Sequence, residues 1–497
     1  ISSSWLLLLL AFVSGAFGGR DFDYRDALSK SIVFLEAQRS GKLPAEHRPS
    51  WRGDSALQDG KLDNVDLVGG YYDAGDNVKY GLPLAFTVTT LSWAAIAYSS
   101  QIQAAGESKN LRDSILWGAD YLLKASSRHE ALYVQVGDPV KDHECWIRPE
   151  NMKTPRTLLK IDGQNPGTEI AAETSAALAA ASIVFQQVDR NYSHQLLNRA
   201  KNLFEFAKKF KGTYDGECPF YCSSSGYNAS LFSSFLLLLL QITINYDELL
   251  WAATWLYKAT QRMDYLDYIQ DEAISASVSE FSWDLKYAGS QVLLSDLFFK
   301  GVSKELEIFK QQADSFVCSI LPDSPHHQVY LTPGGLIHMR DGANTQYVTS
   351  AAFLFSAYSD ILAAHNKEAI ICGDKRYTPS QLMDFAKRQM DYILGNNPKG
   401  MSYMVGFGEK WPKQAHHRGS SVPKLAANAE VNCAMSFVYW YNTNGDNPNE
   451  LTGAIVGGPD KNDAFEDRRT SSAMTEPTTY INSLAVGVLA KLAKYRA

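Results

Sequence analysis

Apolar residues recur at helical spacing in segment after segment of this chain, and that pattern narrows the possible folds more than any other feature. Thr168–Val188 is Ala-rich, with Thr168 placed to cap a helix start and Glu169 and Glu173 near its positive end. Similar patterns cover Pro83–Ser100, Leu111–Lys124, Asp247–Thr260, Trp283–Phe299, Lys304–Ile320, Tyr347–His365, Pro379–Leu394 and Asn482–Tyr495. Turn-forming runs separate them, among them Asn165-Pro166-Gly167, Pro333-Gly334-Gly335 and Asn396-Asn397-Pro398. Strand-like alternation is rare and short. The pattern predicts an all-α domain of about a dozen helices, with the polar motifs gathered in loops.

At 497 residues the chain has the length of roughly three average domains, yet no linker or charge run divides it, so one large domain is expected. A net charge of −7 argues against a nucleic-acid partner, which requires a basic footprint. Core packing and ordinary surface positions account for most of the 26 Tyr and 10 Trp, and the remainder could be stacking platforms for flat apolar faces such as sugar rings. Trp5–Val13 is a short apolar run followed by Ser14-Gly15-Ala16, which reads as a secretory signal over residues 1–19 rather than a stable membrane anchor. Cys145, Cys218, Cys222, Cys318, Cys372 and Cys433 suit an oxidising compartment, but their pairing is not legible. Cys218 and Cys222 lack a matching pair at zinc spacing, and no metal or cofactor is expected. Asn191 and Asn228 begin glycosylation sequons, relevant if the chain is secreted.

Two acidic clusters lie at opposite ends of this domain. YYDAGDNVKYG carries Asp73 and Asp76 around a small Ala-Gly turn, and FEDRRTSSAMTEPTTYINS carries Asp467 and Glu476. A site that protonates a leaving group on one side and activates water on the other needs two carboxyls in different environments. Each cluster also has a plainer explanation: an Asx-type turn capping a helix for the first, a surface glutamate at a helix start for the second. His416-His417-Arg418 suits hydrogen bonding to hydroxyls better than metal binding, since adjacent side chains diverge and no third ligand is evident. Asp460, Asp463, Glu466 and Asp467 lack the glycine and spacing of a calcium loop, and are read as solvated or substrate-facing.

Several of these runs, in order, resemble glycoside hydrolase family 9 and specifically its plant endo-β-1,4-glucanases: YYDAGDNVKYGLP, DHECWIRPE, NPGTEIAAETSAALAAAS, CPFYCSSSGY, DYILGNNPKGMSYMVGFG, HHRGSS and GGPDKNDAFED. The resemblance spans about Phe22 to Leu492 and implies an (α/α)6 barrel with a substrate cleft at its loop end, over a catalytic domain of residues 20–497. It also implies inverting hydrolysis of β-1,4-glucan, with Asp76 as base, Asp73 helping to hold the attacking water, and Glu476 as acid. A partly apolar setting would keep Glu476 protonated. His416 and Asp467 are expected to support catalysis, and His417, Arg418, Trp146 and Tyr480 to contact the sugar. A secreted, extracellular monomer of the cell wall is implied. The alternatives are a glucan-binding protein without turnover, or a xylanase or glucosidase on the same scaffold.

Three departures stand out. Ala415 replaces a larger apolar residue before His416, and Ser472 stands where the family has an aromatic. Between the SGY turn and Asp247 the apolar run Ala229–Tyr246 is inserted, which is expected to be dispensable. The chain stops at Ala497, soon after the last shared motif, so no cellulose-binding module is expected.

Overall fold

Helices alternate along the chain between an inner and an outer position. The computed structural model describes residues 22–214, 246–273, 275–426 and 429–493. The expected signal segment, Cys218, Cys222, Asn228 and all but the last residue of the Ala229–Tyr246 insertion lie outside these residues. The main helices are α1 (Tyr24–Ala37), α2 (Gly81–Ala97), α3 (Ser108–Ala125), α4 (Thr168–Phe185), α5 (Arg190–Lys209), α6 (Tyr246–Thr260), α7 (Met263–Asp267), α8 (Tyr287–Phe299), α9 (Glu307–Ile320), α10 (Thr345–Ala364), α11 (Pro379–Ile393) and α12 (Thr479–Leu492). A π-helical turn, Tyr268–Glu272, prolongs α7.

Helix α2 packs on α4, α4 on α6, α6 on α8, α8 on α10, α10 on α12, and α12 back on α2. These six close a ring. Each odd-numbered helix lies outside it, α1 against α12, α5 against α4 and α6, α11 against α10 and α12. The expected (α/α)6 barrel is therefore present. The sequence explains the two roles: α2, α4 and α12 are apolar or small around nearly their whole circumference and bury almost every residue. Outer helix α11 instead buries one stripe, including Leu382, Phe385, Ala386, Gln389 and Met390. Its start is fixed by Pro379 and a reciprocal cap between Thr378 and Gln381. At the α10–α12 contact a Cβ on Gly487 would lie 2.2 Å from Phe353, so only glycine lets these helices approach so closely.

Helices α1, α5 and the short α7 lie outside the segments that the sequence pattern marks, as does a small antiparallel sheet. Strands β1 (Lys79–Tyr80), β2 (Ala131–Val136) and β3 (Leu158–Asp162) pair in that order, with Tyr80 opposite Gln135 and Leu132 opposite Ile161. This sheet matters for the site because β1 starts three residues after Asp76 and tethers that loop to the barrel. A hairpin of β4 (Ile370–Cys372) and β5 (Lys375–Tyr377) lies elsewhere, joined to α9 by the disulfide Cys318–Cys372. A second disulfide links Cys145 to Cys433.

The ring encloses a charged cluster. Lys286 contacts Glu248 at 2.9 Å and Glu173 at 3.8 Å, all three side chains fully buried. Glu173 also accepts hydrogen bonds from Thr89 (2.8 Å) and the Trp251 indole (3.3 Å), and Asp247 accepts one from the Lys286 backbone N–H (2.7 Å). Burial pushes the Glu173 carboxyl up to about 7 against the pull of Lys286. Burial alone would discharge Lys286, yet Glu248, Glu173 and Asp247 together hold its pKa above the ordinary value.

Candidate active site

The two distant acidic clusters meet at one end of the ring, because α2 follows the first, α12 follows the second, and the two helices are ring neighbours. Gly75 is where they join. Its N–H donates to Glu476 Oε1 at 3.0 Å, and its carbonyl accepts from the Arg418 N–H at 3.0 Å. A Cβ at this position would stand 2.1 Å from the His416 carbonyl oxygen, so the small residue of the Ala-Gly turn is required by close approach. The Thr479 N–H, at the start of α12, donates to the Asp73 carbonyl at 2.9 Å. Gln38 braces the same loop from α1's end, its amide donating to Tyr72 and Ala74 carbonyls at 3.2 and 2.7 Å.

Asp76 is partly open, and its carboxylate faces the Val78 N–H at 3.3 Å and the Tyr80 hydroxyl at 3.5 Å. Its pKa is raised well above the carboxylate range, first by burial and next by the neighbouring charge of Asp142; Arg418 opposes this, and Glu476 and Asp73 add to it. Asp73, expected to help hold the attacking water, is the smallest of these contributors. Asp142 is buried, ion-paired with Arg418, and also faces the Asn77 N–H at 3.4 Å. Donor atoms of Asp76, Asp142 and His143 lie within 4.8 Å of one another, the one group among the described residues spaced to hold a metal ion. Arg418 already supplies Asp142 with a positive partner.

Glu476 sits between a one-turn helix, Ser472–Thr475, and Pro477, whose backbone bridges to Val456. The Glu476 N–H donates to the Ser472 carbonyl at 3.0 Å. Ser472 itself is exposed, so the position without an aromatic contributes through its backbone. His416 is held by its N–H on the Thr475 carbonyl (3.0 Å) and by Nδ1 on the Arg469 carbonyl (2.6 Å). A carbonyl can only accept, so Nδ1 carries the proton; burial lowers the ring's pKa and leaves Nε2 as an acceptor.

Of the expected sugar contacts, Trp146, His417, Arg418 and Tyr480 are each at most 4% exposed. His417 points inward, with Nδ1 accepting from the Ser420 N–H (3.0 Å) and Nε2 donating to Gln38 (2.8 Å). Burial, with Arg52 second, lowers its pKa to about 3. Consecutive side chains on extended backbone face opposite ways, so only one of the two histidines can face the site. Arg418 serves Asp142, and Trp146 backs His416 with ring centroids 4.9 Å apart while its indole N–H donates to Ser421 at 2.8 Å. Tyr480 lies in the first turn of α12, with Trp283 6.5 Å away. Asp467 accepts from the Lys413 and Gln414 N–H groups at 2.7 and 3.0 Å, which fixes the loop leading to His416. Asp463, read as solvated or substrate-facing, is corrected: it is buried and fastens Gly334 and Tyr392 at 2.6 and 2.5 Å.

Residues beside the candidate site that were not singled out from the sequence are Asp142, His143, Tyr441 and Arg469. Asp142 and His143 stand in the DHECW run, so the motif was visible while their roles were not. Tyr441 packs on Trp146 and His416, at 4.7 and 5.9 Å between centroids.

Comparison with known proteins accords with this geometry. The family model "Glycosyl hydrolase family 9" matches residues 24–489. Endoglucanase 16 of Arabidopsis thaliana is 63% identical over 487 residues, covering 98% of this chain and 95% of its own length. Endoglucanase 8 of Oryza sativa subsp. japonica is 60% identical over 486 residues, covering 98% and 92%. Among solved structures, the endoglucanase of the termite Nasutitermes takasagoensis superposes with a TM-score of 0.79 at 35% identity, over 96% of this chain and all of the other. Endoglucanase CelQ from Clostridium thermocellum, complexed with cellobiose and cellotriose, gives 0.77 at 30% identity, over 96% and 71%. A closed double ring of helices, the two acidic loops joined at Gly75, and a family match over almost the whole chain lead to one conclusion: the chain belongs to glycosyl hydrolase family 9.

Proposed function

We propose that this protein is an endo-acting glucanase that hydrolyses internal β-1,4-glucosidic bonds with inversion. The observation that carries this reading is the hydrogen bond between Glu476 and the Gly75 N–H, which sets the acid against the loop bearing Asp73 and Asp76. Relatives called endoglucanases, at 60% identity and above over nearly the whole chain, support the substrate class. Glu476 protonates the leaving glycosidic oxygen. Its Oε1 is held by Gly75, which leaves Oε2 for the proton. Asp76 takes a proton from water attacking the opposite face of the sugar, and Asp73 helps to hold that water. His416, an acceptor at Nε2, receives a sugar hydroxyl. We further infer an extracellular enzyme acting as a monomer on soluble or amorphous glucan, with the Ala229–Tyr246 insertion dispensable for the chemistry.

A base must be ionised, and the raised pKa of Asp76 moves the acid-side loss of activity above the ordinary carboxylate range. Asp76→Asn and Glu476→Gln should each lower turnover of carboxymethylcellulose by about 10² to 10⁴-fold with the melting temperature preserved. Near-normal turnover in either variant would sink the assignment. Proton NMR of the first-released anomer checks inversion, and parallel assays on xylan and aryl glucosides check the substrate class.

A further inference from the structure

Residues Cys433–Asn447 form a strap beside Glu476, fixed at both ends. At one end Cys433 is disulfide-bonded to Cys145, and Ser436 Oγ accepts the Trp146 N–H at 2.9 Å. At the other, Arg469 is 1% exposed and its guanidinium donates to the strap. Nη1 reaches the Trp440 carbonyl at 2.6 Å and both the carbonyl and hydroxyl of Thr443 at 3.0 Å. Nη2 reaches the Gly445 carbonyl at 3.0 Å and Asn447 Oδ1 at 2.6 Å, and Nε reaches Asn447 Oδ1 at 2.8 Å. Asn447 then passes the connection on, its amide donating to the Ala415 carbonyl at 2.9 Å and Ser420 Oγ at 2.8 Å, on either side of His416. Between the two anchors, the strap turns the Tyr441 ring onto Trp146 and His416.

We propose that Arg469 is a positioning residue for the glycosidic reaction: its side chain shapes the strap that sets Tyr441 against His416, while its own carbonyl orients the His416 ring. The proposal rests on the reading of Glu476 and His416 given above. One residue thereby sets both the ring and the wall behind it. A planar guanidinium with five donors in a fixed fork can satisfy several carbonyls that converge from one loop; an ammonium on a flexible stem satisfies fewer and fixes no plane. Arg469→Lys keeps the charge and the backbone carbonyl, so it tests the fork alone.

The experiment is a double-mutant cycle on the full chain with cellopentaose. Arg469→Lys and Tyr441→Ala should each lower kcat/KM by about tenfold or more, and the double variant should be little worse than Tyr441→Ala, because both act through one wall. An arginine with a merely structural role would lower the melting temperature and leave the cycle additive. Additive effects, or unchanged kcat/KM in folded Arg469→Lys, would overturn the proposal. Should Arg469→Lys fail to fold, Asn447→Ala, which removes two of the Arg469 contacts, runs through the same cycle and the same additive result overturns it. Glu476→Gln is assayed alongside: full activity there refutes the acid, whereas an additive cycle with inactive Glu476→Gln refutes only the role of Arg469.

Discussion

Among the described residues, carboxylates with raised proton affinity lie at the mouth of the barrel around the partly open Asp76 and inside the ring around the buried Glu173, and only the first place is open to a substrate. In both, burial is the largest cause of the shift and a cation opposes it. The difference lies in what holds the groups. Glu173, Glu248 and Lys286 stand on or at the starts of three adjacent ring helices and are fully buried. Asp76 and Glu476 stand on loops, are held mainly by backbone N–H groups, and keep part of their surface open. The cation differs too: Lys286 serves two glutamates at once, whereas Arg418 engages Asp142 and leaves Asp76 without a direct ion pair. A displaced pKa therefore marks burial in both regions, and access marks chemistry in one.

Three substitutions separate the regions. Lys286→Met has the largest expected effect on the fold, because Glu248 and Glu173 lose their cation: breaking a buried pair costs about 3–5 kcal/mol, readable in urea unfolding. The kcat of the folded fraction should hardly change. An unaltered unfolding midpoint with reduced kcat would erase the distinction. At the mouth, Gly75→Ala forces a Cβ onto the His416 carbonyl oxygen. Overpacking costs about 1–3 kcal/mol in stability, and kcat should fall by at least about tenfold, since Glu476 and Arg418 both lose their register. Full activity would show that the three loops are not locked together there.

The smallest effect is on pH dependence. A carboxyl raised on folding, such as Glu173 at about 7 and Glu169 at about 8, binds more protons in the folded than in the unfolded state. Its contribution to stability is complete below the unfolded value of 4.5 and is lost as pH rises through the folded value. The melting temperature should thus decline between about pH 5 and pH 8, and Glu173→Gln should flatten that decline. An undiminished slope in Glu173→Gln would place its source elsewhere.

The ring helices were legible because a helix apolar on all sides can only be buried, and that is a local property of the sequence. Helices α1, α5 and the short α7 were not, although α1 buries nine of its 14 residues and α11, with a single buried stripe, was legible. Strands β1, β2 and β3 depend on partners far along the chain and left no comparable trace. At the site, the motifs carry the proposed base Asp76 and acid Glu476, yet motif membership says nothing about facing. Trp146, His417, Arg418 and Tyr480 share those motifs and lie beneath the surface. The Arg418–Asp142 pair spans 276 positions, and no local pattern announces it.

The closure of the ring by α12 on α2 also has a temporal side. The two acidic loops meet only when a chain segment some four hundred positions downstream docks against the first ring helix (Gly75 and Glu476 are 401 apart), so their contact is among the most sequence-distant of the described residues. Contacts of that span carry a high loop-closure cost and form late unless intervening structure has already brought the ends together. Successive helices of the ring do that bringing together, each shortening the gap left for the next. Hydrolytic activity should therefore report the docking of α12 on α2, since a chain with only the first five ring helices in place lacks the segment that brings Glu476 to Gly75.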